Sequence, residues 1–419
     1  MFGEKYLRRI YVEEKMKRWL IAFLLCSLLL LSSCTEEPLP LIAEENKTNS
    51  NEQPSVEEPE EEPITETPVE EEAEEQFEMF NPELTYQWAY NGPLYATSEQ
   101  WGDSAPVEEH FENMDRNGIN YALVFFSVEL PEEDLLYIEE ALKAHPSRII
   151  PFMSPGYGSA EAKTALFNGE LVPLYKENFK EAEKTLSEGT IKGFGELEIY
   201  AWGIQPENDK LTPLYDFAAA NDIAVMFHPQ QGKTQVTAIE ELVTSYPETT
   251  FLIHMFPEEF QTDSDLYIEL INDTENLYYT IDADHILYDG QTGLLYKYEK
   301  ESTENAVAYF IEDFDESYAR YLNDAVLRYK PLVDAVPEKV MWGTEIGLEY
   351  GYDPEVYDRV IKASREFISE MDPDAQEKLA YQNALRVFGE GAVIKTEEPI
   401  ALSFFFMSWD FLTKGKKTS

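Results

Sequence analysis

The chain has 419 residues, of which 82 are acidic and 32 basic, so its formal net charge is −50 at pH 7. This negative charge opposes contact with phosphates, and no nucleic acid partner is expected. The two cysteines, Cys26 and Cys34, both lie near the N-terminus, which excludes thiolate chemistry, disulfides and cysteine-ligated metals from the rest of the chain.

The first predicted element is an export signal. A basic pair precedes an apolar run at residues 19–31 that is too short to span a bilayer comfortably. The Leu-Ser-Ser-Cys sequence ending at Cys34 resembles the lipobox of bacterial lipoproteins, which implies cleavage before Cys34 and its lipidation. Residues 1–34 are therefore a predicted signal peptide, starting at Met1 or Met16. We expect an extracytoplasmic protein, lipid-anchored to a membrane of the cell envelope; an uncleaved membrane anchor is the alternative.

Residues 35–76 are rich in Glu, Pro, Thr and Asn and almost free of aromatic residues. This composition predicts a disordered acidic linker, because it cannot bury a core. A folded domain is predicted at residues 77–390. The tail at residues 391–419 contains an apolar segment that is too short to span a bilayer, and it could rest on a membrane surface or pack against the domain.

Strands and helices are predicted to alternate through the folded domain. Eight short apolar runs are typical of buried strands, at residues 84–90, 119–127, 148–155, 191–199, 223–228, 249–254, 277–281 and 339–343. Helical patterns occupy residues 106–117, 132–144, 176–186, 211–221, 318–336, 354–371 and 373–388, and a further helix is predicted between the fifth and sixth strands. The alternation predicts an α/β fold of the (β/α)₈ TIM-barrel type, with an open doubly wound sheet as the alternative.

Ionisable side chains close three successive predicted strands, at Glu196, His228 and His254. In parallel α/β folds the residues at the carboxyl ends of strands carry the chemistry. A buried carboxylate is costly unless it is paired or bound to a metal, which favours a functional role for Glu196. Glu198 is expected on the helix side, because side chains alternate along a strand.

Other polar and aromatic residues are open to two interpretations. Asp282 and His285 follow the seventh strand and could line the mouth of the fold or lie in a solvated loop. His110 and His145 are expected to be structural or surface residues. Aromatic side chains near the first and fourth strand ends could stack on a substrate or simply pack, namely Tyr86, Trp88, Tyr90 and Trp202.

Four segments resemble the amidohydrolase-related metal-dependent hydrolases of the amidohydrolase 2 type, in order and spacing. They are PLYDFAAANDIAVMFHP, IEELVTSYPETTFLIHMF, KVMWGTEIG and NALRVFG. The resemblance implies a barrel enzyme that binds divalent metal at the carboxyl ends of its strands. The metal of such enzymes lowers the pKa of a bound water and polarises a carbonyl group.

The resemblance also implies roles for particular residues. His228 stands at the strand-five metal ligand and His254 at the strand-six ligand or acid–base. Glu345 takes the place of the strand-eight aspartate, which binds metal and moves a proton. Glu196 resembles the strand-four carboxylate of the TatD-like deoxyribonucleases. One Zn²⁺ or Mn²⁺ held by these four side chains is expected, with Glu345 and His254 as catalytic residues.

The chain departs from the family at three positions. The usual His-x-His of strand one is missing, since no histidine precedes His110. The strand-eight aspartate is Glu345, and the strand-four lysine of binuclear members is absent. At most a mononuclear site is therefore expected, in a hydrolase that acts on a carbonyl or related group of a small molecule.

Two other functions stay open at this stage. The first is a catalytically degenerate barrel that binds a ligand or partner at the cell surface, which the missing His-x-His favours. The second is a metal-free glycosidase using Glu196 and Glu345, whose carboxyl groups would then lie about 5–9.5 Å apart.

Overall fold

The computed structural model describes residue 90 and residues 94–100, 107–127, 140–155, 160–185 and 191–389. All of these residues belong to one compact unit of the chain, within Glu74–Ser419. Eight strands form one parallel sheet, in which each strand pairs with the next along the chain. They are β1 (Leu94–Gln100), β2 (Ile119–Ser127), β3 (Ile149–Ser154), β4 (Gly193–Leu197), β5 (Ala224–Phe227), β6 (Phe251–Ile253), β7 (Leu277–Asp282) and β8 (Val340–Gly343).

The first strand differs from the prediction. Residues 84–89 of the predicted strand lie outside the described residues, whereas the segment that was expected to be a loop forms β1 and pairs with β2. Leu94 and Ala96 of β1 are fully buried. Because four polar residues follow them in the same strand, the segment lacks the apolar run that marks the other strands.

Helices connect the strands. They are α1 (Val107–Asn117), α2 (Ala160–Asn168), α3 (Leu171–Thr185), α4 (Ile199–Trp202), α5 (Thr212–Asn221), α6 (Lys233–Ser245), α7 (Pro257–Asp273), α8 (Ala283–Ile286), α9 (Leu294–Lys297), α10 (Thr303–Ala335), α11 (Pro354–Ser369), α12 (Pro373–Glu377) and α13 (Asn383–Phe388). Short 3₁₀ turns lie at Pro337–Lys339 and Glu349–Tyr352, and a π-helical turn lies at Lys378–Gln382. Residues 140–144, within the predicted helix 132–144, are also helical. Among the described residues, no helix combines the length and apolar character needed to cross a membrane.

The long helix α10 begins earlier than predicted. It starts at Thr303 rather than at residue 318, so much of the acidic and aromatic segment after β7 is helical. Ser302 caps it by accepting a hydrogen bond from the backbone N–H of Asn305 at 3.4 Å. Helices α2 and α7 and the short helices α4, α8 and α9 were not predicted. Helix α7 begins with Pro257, which is favourable in a first helical turn.

The strands are buried on both faces, as in sheets that helices cover. Every residue of β4, β5 and β6 is buried. Alternate residues from several strands meet in a small core of their own, separate from the larger core beneath the helices; it includes Leu123, Phe152, Met226, Leu252 and Met341. Strands β1 and β8 also lie beside each other. The structure thus confirms an α/β fold with a TIM-like parallel sheet.

Buried arginines hold the amino ends of the strands. Arg148, directly before β3, donates hydrogen bonds to the carbonyls of Asn120 at 3.2 Å and Ile119 at 2.8 Å. It also forms an ion pair with Asp115 at 2.7 Å. Arg365 of α11 donates to two further carbonyls in this region, those of Tyr90 and Asn117, at 3.0 and 2.8 Å.

Candidate metal centre

Three buried side chains meet at the carboxyl ends of β4, β5 and β6. Phe227 pairs with Ile253 in the parallel ladder, so the residues that follow them, His228 and His254, lie side by side. Glu196 joins them from β4. The exposed fraction is only 3% for Glu196, 2% for His228 and 3% for His254. We call these three residues the first triad.

Glu196 reaches the two histidines because the residue before it is Gly195. The backbone of Gly195 has a φ of 134°, and a Cβ at this position would lie 2.4 Å from the carbonyl oxygen of Met226 in β5. Only glycine permits so close an approach of two strands. The register between β4 and β5 shifts at this point, between Phe194 and Leu197.

The donor atoms of the first triad lie within 4.8 Å of one another. His228 Nε2 lies 2.6 Å from Glu196 Oε1 and 3.0 Å from His254 Nδ1. His254 Nδ1 also contacts Glu196 Oε1. Two imidazole nitrogens and one carboxylate oxygen are a donor set that suits Zn²⁺ or Mn²⁺.

A second triad shares His254 and adds Asp282 and His285. His254 Nε2 contacts Asp282 Oδ2. The backbone N–H of His285 donates to Asp282 Oδ1 at 2.9 Å, and the backbone N–H of Asp282 donates to His285 Nδ1 at 3.4 Å. This reciprocal capping box at the start of α8 fixes the Asp282 carboxylate where it faces His254.

Asp282 and His285 are the site residues for which the sequence left two interpretations. The structure excludes the solvated loop, because their exposed fractions are 0% and 3%. A usable signal was present in the chain: Asp282 directly ends an apolar strand, and a histidine follows three residues later, at the spacing of a capping box.

Opposing charges dominate the titration of the site. Burial would lower the pKa of His254, but Asp282 and Glu196 outweigh this effect and raise the pKa well above its usual value. Burial would raise the pKa of Glu196, but His228 and His254 hold it far below its usual range. Burial lowers the pKa of His228 despite the nearby Glu196. Without a metal, His254 is therefore an imidazolium held between two carboxylates.

The first triad fits one divalent ion. Its ligands would be Glu196 Oε1, His228 Nε2 and His254 Nδ1. The N–H that remains at His254 Nε2 would donate a hydrogen bond to Asp282. Such a carboxylate fixes the tautomer and orientation of a ligating imidazole. His228 Nδ1 is buried and has no hydrogen-bond partner in the part of the chain that the structure describes, so Nε2 is the nitrogen of His228 that faces the site.

Glu345 is the predicted ligand that stands apart. It follows β8 and is buried, but it belongs to neither triad of the described residues. Its Oε1 accepts a hydrogen bond from the Tyr296 hydroxyl at 3.3 Å. Its backbone is left-handed, with a φ of 57°, a strained conformation that is common at functional sites. Its metal-binding and catalytic roles stay predictions.

His110 and His145 pack around Phe111 and belong to neither triad. The His110 ring is fully buried and lies 5.4 Å from the rings of both Phe111 and Tyr352. The His145 ring stacks on Phe111 at 3.9 Å. Of the aromatic residues that could have contacted a substrate, Tyr90 and Trp202 are buried, whereas Tyr86 and Trp88 lie outside the described residues.

Two partly buried aromatic side chains flank His228. Phe256 stacks on the imidazole at 5.4 Å, Tyr200 approaches it edge-on at 5.6 Å, and the two aromatic rings lie 5.3 Å apart. Burial and the charges of Glu198, Glu196 and Glu259 together raise the pKa of Tyr200 to about 12. Glu259 lies in the first turn of α7. Burial and the charge of Glu258 raise the pKa of Glu259 itself to about 7.

No protein-family model and no curated protein sequence matches this chain. Among solved structures it is similar to an uncharacterised TIM-barrel protein from Bordetella bronchiseptica, with 19% identity and a TM-score of 0.39 over 66% of this chain and 80% of that one. It is also similar to an amidohydrolase from Burkholderia multivorans with bound zinc, with 10% identity and a TM-score of 0.41 over 71% of this chain and 100% of that one.

A third similar structure is a 2,6-dihydroxybenzoate decarboxylase in complex with 2,6-dihydroxybenzoate, at 11% identity and a TM-score of 0.39 over 71% of this chain and 98% of that one. An amidohydrolase is thus among the solved structures to which this chain is similar.

Proposed function

We propose that this protein is a metal-dependent hydrolase with one divalent ion, Zn²⁺ or Mn²⁺, held by Glu196, His228 and His254. The observation that carries the proposal is the convergence of two imidazoles and a carboxylate, all buried, at the carboxyl ends of three consecutive parallel strands. Such an ion lowers the pKa of water and polarises the carbonyl group of a substrate.

We also infer that the eight strands close into a complete (β/α)₈ barrel. The contact between β1 and β8 supports closure. In a closed barrel the carboxyl ends of all strands share one rim, and Glu345 after β8 would face the same mouth as the first triad.

The proton transfers are assigned by elimination. Both nitrogens of His254 are engaged, Nδ1 toward Glu196 and Nε2 toward Asp282. Glu345 is therefore the better general base, in place of His254. As water adds to the carbonyl carbon, its proton would pass to the Glu345 carboxylate. The bond to the leaving nitrogen or oxygen then breaks, and Glu345 returns the proton to the leaving group.

A second candidate function is a barrel that binds a ligand or partner at the cell surface without catalysis. Within the described residues, strands β1, β2 and β3 contribute no side chain to either triad, in keeping with the missing His-x-His of strand one. A metal centre of this kind would position a ligand but would not turn it over.

Hydrolysis by the full chain distinguishes the two functions. We expect slow to moderate turnover of some members of a panel of esters, amides and lactones by the metal-loaded protein, and none by the metal-stripped protein. His228→Ala should abolish the turnover, whereas His145→Ala, at the packing histidine, should retain it. Stoichiometric metal without turnover of any panel member would favour the binding function.

We further propose that the protein is exported and anchored to an envelope membrane through a lipid on Cys34. The basic pair, the apolar run and the lipobox-like sequence support this. In a bacterial host, labelled palmitate should enter the wild-type chain and the Cys26→Ser variant but not Cys34→Ser. Equal labelling of Cys34→Ser would contradict the anchor.

A further inference from the structure

The edge of the sheet that carries the site is poor in positive charge. The segments that follow β5, β6 and β8 contain neither lysine nor arginine, at residues 228–232, 254–256 and 344–353. Lys297, after β7, is already paired, since it lies 3.1 Å from Asp289 and 2.6 Å from Asp313. Arg328 of α10 lies on the side of the second triad, where it donates to the backbone carbonyl of His285 at 3.4 Å.

Negative charge remains at this edge after a metal is bound. One divalent ion offsets the charges of Glu196 and Asp282. The carboxyl group of Glu259, in the segment after β6, belongs to neither triad. This group would repel a substrate carboxylate or phosphate and attract a cation.

One part of this edge has the features of a cation-binding subsite. The partly buried rings of Tyr200 and Phe256 meet at 86° beside His228, and aromatic faces attract organic cations. Oε2 of Glu259 is a buried acceptor that has no hydrogen-bond partner among the described residues. A buried acceptor of this kind is costly unless a ligand supplies the donor.

We propose that the substrate carries an ammonium or guanidinium group, which binds against Tyr200 and Phe256 and donates hydrogen bonds to Glu259. The bond to be hydrolysed would then face His228 and the rest of the first triad. This inference rests on the proposed function and specifies its substrate class: an ester or amide with a cationic group on one side of the scissile bond. Tyr200 and Glu259 determine specificity and take no part in the proton transfers.

The test compares three ligands of similar shape and different charge. Calorimetry would measure the binding of benzylammonium, benzyl alcohol and benzoate to the full chain, with and without metal. Benzylammonium should bind about tenfold more tightly than benzyl alcohol, and benzoate more weakly still. Glu259→Gln and Tyr200→Leu should each weaken benzylammonium binding about tenfold. Glu240→Gln removes the same charge from an exposed position of α6 and should leave binding unchanged.

Two outcomes overturn the inference: benzyl alcohol or benzoate binding as tightly as benzylammonium, or Glu259→Gln binding like the wild type. The metal content of the same samples separates this inference from the proposed function. Metal retained without a preference for benzylammonium refutes the cation subsite alone. Benzylammonium binding that depends on Glu259 in a protein that holds no metal supports the subsite and refutes the hydrolase.

Discussion

Ionisable side chains are buried at both ends of the parallel sheet, but their surroundings differ. At the amino ends of the strands, Arg148 and Arg365 donate to backbone carbonyls, and Arg148 also pairs with Asp115. At the carboxyl ends, Nε2 of His228 and both ring nitrogens of His254 face other ionisable side chains instead.

The difference separates a structural role from a functional one. Arg148 and Arg365 hold strands together because their donors contact backbone carbonyls, and this role requires no ligand. Imidazoles and carboxylates that converge around one point are costly to bury, and an ion at that point offsets the cost. The same physical principle therefore predicts that mutations at the two ends have different consequences, one on stability and the other on metal affinity.

Removal of an arginine from the amino end should have the largest effect. Arg148→Ala removes the donor to the buried carbonyls of Ile119 and Asn120. We expect the free energy of unfolding to fall by about 2–4 kcal/mol, because each buried acceptor without a donor costs about 1–3 kcal/mol. Urea unfolding followed by circular dichroism measures this. Lys180→Ala, at an exposed position of α3, should change stability little. A variant Arg148→Ala that remains stable yet loses its metal would contradict the structural role of Arg148.

Asp282→Asn should weaken metal binding rather than the stability of the fold. The amide orients His254 less well, so we expect the affinity for Zn²⁺ to fall about 10–100-fold while the fold is kept. Competition with a chromophoric chelator gives the affinity. Asp209→Asn, at an exposed position, is the matched control. Unchanged affinity in Asp282→Asn would mean that Asp282 serves the capping of α8 alone.

Metal binding should depend on pH through His254. The raised pKa of His254 means that its imidazolium must lose a proton before Nδ1 can bind an ion. Binding should therefore strengthen by about tenfold per pH unit as pH rises toward that pKa, with one proton released per ion. Calorimetry in buffers of different ionisation enthalpy counts the protons. A metal affinity that is constant between pH 6 and 8 would contradict the presence of an imidazolium at His254.

The smallest effect is expected at β8. Because Glu345 belongs to neither triad, Glu345→Gln should change the affinity for Zn²⁺ by less than about threefold, below the loss expected for an orienting carboxylate. The same chelator competition applies. A loss as large as that of Asp282→Asn would make Glu345 a metal ligand, as its position in the sequence motif indicates.

Strands β2 to β8 could be predicted from sequence because each is a short apolar run, buried on both faces. Strand β1 could not, since residues 97–100 of the strand are polar and it lacks an apolar run. The ends of β4, β5 and β6 indicated Glu196, His228 and His254 for the same reason. The partnership of His254 with Asp282 depends on a contact between neighbouring strand ends and on a capping box, which no local pattern of apolar residues reveals.

The central claim is that Glu196, His228 and His254 hold one metal ion, and metal content tests it most directly. The full chain would be incubated with Zn²⁺ or Mn²⁺, dialysed and analysed by elemental mass spectrometry, beside the His228→Ala/His254→Ala double variant. We predict about one ion per wild-type chain and none in the variant. A wild-type chain that retains no metal, or a variant that retains as much as the wild type, would contradict the claim.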